Sequence, residues 1–135
     1  MKSYTDVEQS KKLADILPIE SADLWWDTNE FEPRLHKHYH QYLGITINPI
    51  PCWSLAALLE VLPNEISTGE NFVDKYQIDI RKYDGGDGTT WYQIAYGNDR
   101  GSSGEWHDMI NTGEKENIID CCYQMIVRLK EKDLL

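Results

Sequence analysis

The sequence has no apolar run that matters to a membrane: the longest uninterrupted one, Leu55 to Leu59, falls far short of the roughly 20 residues a spanning helix needs. The opening MKSYTDVEQSKK also lacks the apolar core of a signal peptide, and a cytoplasmic protein is expected. Cysteine is scarce. Cys52, Cys121 and Cys122 are odd in number and show no CxxC spacing, which argues against a disulfide framework and a thiolate zinc site and leaves them as small apolar fillers. Basic residues are the minority, 13 against 23 acidic, for a net charge of −10, and the acidic excess is spread along the whole chain. Neutralising phosphates takes clustered Lys and Arg, so direct nucleic-acid binding is not expected. Catalytic signatures are missing as well: the chain holds no GxSxG, no HExxH and no GKS or GKT. Neither an enzyme nor a cofactor is expected.

What is present is a globular composition. At 135 residues, 41% hydrophobic, with five Trp, eight Tyr and two Phe, the chain is long enough to remove about two thirds of its unfolded surface from water. One domain over 1–135 is the expectation.

Thr5-Asp6-Val7-Glu8 has the capping-box pattern, with Thr5 as the cap, and predicts a helix over 5–17 that stops before Pro18. Ala22 to Asp27 is a short extended segment whose adjacent Trp25 and Trp26 face opposite ways, leaving one as a spare surface aromatic. Residues 28–50 carry Pro33, Gly44 and Pro49 without periodicity and predict a long loop or insertion. A helix over 54–62 follows, with Ser54 as cap, a Trp53–Leu58 staple and a core stripe of Leu55, Leu58, Leu59 and Leu62.

Strand alternation then puts Tyr76, Ile78 and Ile80 on one side and Lys75, Gln77, Asp79 and Arg81 on the other. Asp84 to Gly88 is a turn and Thr89 to Tyr96 the return strand, with a third strand over 105–110. A last helix is expected from Asn111 or Thr112 to Lys132, buried through Ile119, Cys122, Ile126 and Leu129 and widened by Ile118 and Met125. The fold class is therefore α+β: a small antiparallel sheet of two to four strands packed against two or three helices in one two-layer domain.

The one concentration of potential ligands is LHKHYHQY at 35–42. His36, His38 and His40 share a face if the segment is extended, and imidazoles at that spacing suit zinc, copper or nickel. Glu30, Glu32 or His107 would have to complete the shell, and no motif spacing selects among them. The plainer reading is an aromatic loop whose Tyr39 and Tyr42 pack while the histidines face water. DGGDG at 84–88 fits neither an EF-hand nor a phosphate loop and is turn chemistry.

TDVEQSKKLADIL at 5–17 and PCWSLAALLEVLP at 51–63 resemble a set of small proteins encoded in gut-bacterial genomes, phages and mobile elements. The resemblance covers most of the chain except 28–50. Its residues are core and capping residues, so it implies a setting and no activity, cofactor or binding residue. The resulting expectation is a non-enzymatic intracellular accessory or interaction protein, associated with a phage or mobile element and bound to a protein partner. The alternative is a metal-binding protein built on His36, His38 and His40, and a symmetric dimer through the sheet edge or last helix is a third reading.

Overall fold

Thr5 decides how the chain begins. The computed structural model describes residues 2–28, 33–37 and 49–135, and in it Thr5 is fully buried rather than capping. Its Oγ1 accepts from the Trp53 backbone N–H at 3.2 Å and shares a hydrogen with Ser10 Oγ at 2.7 Å. The Thr5 N–H returns a bond to Trp53 O at 3.0 Å. With that side chain drawn inward, the cap passes to Asp6, whose Oδ1 accepts from Gln9 N at 2.8 Å while Gln9 Oε1 accepts from Asp6 N at 3.2 Å. Helix α1 is accordingly Val7–Ala14, shorter than the expected 5–17. Its last turn tightens, with Ile16 N and Leu17 N both donating to Leu13 O, before Pro18 ends it.

The chain groups into two units, Met1–Val61 and Leu62–Leu135. In the first, β1 (Leu24–Asp27) is the centre of a three-stranded antiparallel sheet between β2 (Arg34–His36) and β3 (Ile50–Cys52). Both flanking strands lie in or at the edge of the span expected to be loop. Each is three residues long, too short for alternation to show in sequence. Residues 29–32 and 38–48 of that span, with Glu30, Glu32, His38, Tyr39, His40 and Tyr42, lie outside the described residues. Helix α1 packs on β3. Helix α2 is Leu55–Val61, with Ser54 Oγ accepting from Ala57 N at 3.3 Å as expected of a cap. Asp23 supports that cap: its Oδ1 accepts from Ser54 N at 2.9 Å and its Oδ2 accepts from the Ser54 hydroxyl. Leu58 and Leu62 are buried, but Leu59, at the opposite edge of the expected stripe, is 38% exposed.

In the second unit the four-stranded antiparallel sheet runs β4 (Glu65–Ser67), β5 (Lys75–Asp84), β6 (Thr90–Asn98) and β7 (His107–Asn111). The expected hairpin is β5–β6, its register pairing Ile78 with Tyr96 and Ile80 with Ile94. Tyr92, Ile94 and Tyr96 are buried, and α3 (Ile118–Glu131) packs on β6. Ile80 is nevertheless 44% exposed. β4 covers β5 only at residues 75–77, so Ile80 stands on the uncovered part of the edge.

The last helix begins later than 111–112. Thr112 N donates to Ile94 O at 3.0 Å, and Lys115 exchanges two backbone bonds with Tyr92, so 112–115 continues along β6 instead of coiling. Gly113 turns the chain there at φ +70°, a value that favours glycine. Asn117 then caps α3, its Oδ1 accepting from Ile119 N at 2.8 Å. Ile119, Cys121, Cys122, Met125, Ile126 and Leu129 are all fully buried, the expected stripe broadened by Cys121. The fold is α+β as the patterning predicts, with a second sheet that it does not.

Candidate functional site

Strand alternation gives the four-stranded sheet a second face, opposite Tyr92, Ile94 and Tyr96. On it β5 presents Asp79, Arg81 and Tyr83, and β6 presents Trp91, Gln93, Ala95 and Gly97. A network of hydrogen bonds joins three strands across this face. Arg81 on β5 donates from Nη1 and Nη2 to the two oxygens of Asp108 on β7, at 2.9 and 2.6 Å. Its Nε donates to Asp79 Oδ2 at 2.7 Å, and Nη1 also reaches Gln93 Oε1 at 3.2 Å. Tyr83 OH donates to the same Gln93 oxygen at 2.9 Å. Trp106 Nε1 donates to Asp108 Oδ1 at 2.8 Å.

A side chain on β5 that reaches β7 must cross β6, and it crosses where β6 carries its smallest residues, Ala95 and Gly97. Gly97 is required by contact rather than by dihedral. A Cβ there would lie 2.4 Å from His107 O and 2.8 Å from Trp106 Nε1. The indole therefore lies against the bare Gly97 backbone, stays 41% exposed and is held by Asp108. At the other end of β6, Trp91 leans on Gly85 and sits opposite Tyr83, which is 37% exposed. Within the network one guanidinium faces two carboxylates, so a net negative charge remains. Arg81's hydrogen bonds hold the Asp108 carboxyl below its usual range against the opposing effect of partial burial, and the same bonds keep Arg81 firmly protonated.

Beyond this face, the end of the sheet holds a shallow cleft of about 460 Å³ lined by Val73, Tyr76, Asn98, Arg100, His107 and Met109 among others. Asn98 ties its rim together, donating to Val73 O and Lys75 O and accepting from Arg100 N. The Arg100 guanidinium stacks 3.8 Å above the exposed Phe72 ring.

The residues singled out in the sequence fall elsewhere. His36 is in β2, opposite Trp25, with Nε2 3.7 Å from Asp27 Oδ2. His38 and His40 lie outside the described residues, as do Glu30 and Glu32. His107 belongs to β7, its Nε2 3.2 Å from Ser103 Oγ. Among the described residues no group of three or more His, Cys, Asp or Glu is arranged to hold a metal. Trp25 and Trp26 are both half-buried, so neither is the spare surface aromatic. Trp26 instead anchors the N-terminus, donating to Thr5 O at 3.1 Å with its ring edge-on to Tyr4 at 5.8 Å. The DGGDG tip is turn chemistry: Asp84 Oδ1 accepts from Gly86 N and Asp87 Oδ1 from Thr89 N. All three cysteines are buried and free, and burial pushes the Cys122 thiol up to about 12. No helix among the described residues is long and apolar enough to cross a membrane.

No family model, curated protein or solved structure matches this chain. The outward aromatics Trp106 and Tyr83 were not singled out in the sequence. The signal for them was the odd-numbered register of the hairpin, which places Tyr83, Arg81 and Trp91 together, and the small Ala95 and Gly97 that leave room above β6.

Proposed function

We propose that this protein is a non-enzymatic interaction protein that binds a protein partner through the outward face of its four-stranded sheet. The carrying observation is the exposed pair Trp106 and Tyr83, set at the two ends of the Arg81–Asp108 network. Aromatic side chains held in place by neighbours carry large contact area at small entropy cost, which is what binding hot spots are made of. Their polar partners are already satisfied, so a partner meets an ordered surface and little has to be rearranged on binding. An intracellular setting with a phage or mobile element rests on the resemblance of 5–17 and 51–63 alone.

The test is affinity capture with the full chain from a lysate of cells that encode it, run beside a Tyr83→Ala/Trp106→Ala double variant. One protein retained by the wild type and lost by the variant is expected. A wild-type profile no different from bare resin overturns the reading.

A further inference from the structure

The outward face carries more acid than base. Asp79 and Asp108 lie on the strands, Asp87 stands at the hairpin tip, and Asp99 and Glu105 flank the loop into β7. Against them stand Arg81 and Arg100, while Glu65 and Lys75 offset one another on the β4 side. Neither arginine is a free cation: Arg81 is spent on Asp79 and Asp108, and Arg100 on Phe72 and the carbonyls around it.

Asp79 has a side chain 42% exposed, and only its Oδ2 receives Arg81. Its Oδ1 takes no part in that bond, and the paired strands carry aromatic residues on either side of Asp79. Trp91 and Gly97 are about 20 Å apart along β6 at about 3.4 Å per residue, so the Tyr83–Trp91 pair and the Trp106 indole form two aromatic stations with a carboxylate between them.

We infer that the occupant of this face is an arginine-bearing basic segment of a partner protein, laid across β5, β6 and β7 with guanidinium groups on the aromatic stations and on Asp79. The inference rests on the interaction reading above and adds the chemistry of the partner. Arginine suits the arrangement better than lysine, because a planar, weakly hydrated guanidinium stacks on an indole or phenol ring while still donating to a carboxylate in its own plane. A phosphate-bearing partner meets the same acidic rim with the wrong sign.

The experiment is isothermal titration calorimetry on the full chain at physiological ionic strength with Gly-Arg and Gly-Lys repeat peptides of roughly ten residues, long enough to span both stations. The Gly-Arg peptide is expected to bind about 3- to 10-fold more tightly than its lysine counterpart. Asp79→Asn and Tyr83→Ala should each weaken it about 3- to 10-fold, and Glu131→Gln, on the helix packed against the other face, should leave it unchanged. Equal affinity for the two peptides, equal weakening by Glu131→Gln, or no binding overturns the inference. If affinity capture still yields a partner that depends on Trp106 and Tyr83, the interaction reading survives that failure; if it yields none, both fall.

Discussion

The two faces of the four-stranded sheet are made by alternate residues of the same strands, yet they are held by different physics. On the inner face Tyr92, Ile94 and Tyr96 are buried, and the fully buried stripe of α3 belongs to the same core; stability there comes from apolar area removed from water and from close packing. On the outer face the corresponding positions hold Trp91, Gln93, Ala95 and Gly97, and organisation comes from directional hydrogen bonds among side chains that remain partly in water. Burial of the first kind is tolerant of which apolar residue supplies it. A network of the second kind needs particular atoms at particular places, and it contributes less free energy for the order it imposes. One face therefore makes the fold, and the other presents an ordered polar surface.

Substitutions on the two faces should separate these contributions. Ile126→Ala in α3 should cost about 2–5 kcal/mol, read as a lowered urea midpoint, because it deletes buried methyl groups from a packed core. Gly97→Ala should cost about 1–3 kcal/mol even though it adds one methyl group to the outer face, because the backbone at His107 O and the Trp106 ring both have to move. Trp106 fluorescence should shift with it, and an unshifted spectrum at wild-type stability would show that the indole does not rest on Gly97.

Asp108→Asn should be milder, at most about 1 kcal/mol at neutral pH, since the Arg81 pair is only partly buried. The folded Asp108 carboxyl titrates below its unfolded value, so its stabilising effect is present above the ordinary carboxylate range and is lost as pH falls through the folded pKa. The gap between wild type and Asp108→Asn should thus close on acidification, measured as urea midpoints from neutral to strongly acid pH. A gap that widened would contradict the pairing. Tyr83→Phe removes only the hydroxyl bonded to Gln93 and should change stability by less than about 0.5 kcal/mol.

The parts of the fold that were legible in sequence are those with a long enough period. The α3 stripe from Ile119 to Leu129 and the β5–β6 alternation repeat often enough to identify themselves. Ser54 as a cap was also legible, since a hydroxyl placed before a leucine-rich run between prolines has few other uses. The strands β2 and β3 were not, because three residues carry no period and their pairing with β1 is a choice of partner, not of pattern. The cap of α1 was misplaced by one residue for a related reason. Thr5 and Asp6 both satisfy the local pattern, and the bond between Thr5 and Trp53, 48 positions away, selects between them. The outer-face site stayed hidden in the same way, since Arg81 and Asp108 are 27 positions apart and nothing near either residue names the other.

By itself, then, the sequence determined the local periods, the helix-starting side chains, the acidic sign of the surface and the mixed α+β class, because each depends on neighbours within a turn or a few strand residues. Tertiary structure decided which aromatics show, which carboxylates Arg81 holds and where the first helix begins. Those outcomes depend on which distant backbone a side chain meets, and that is settled by packing and pairing between segments whose separation along the chain carries no pattern.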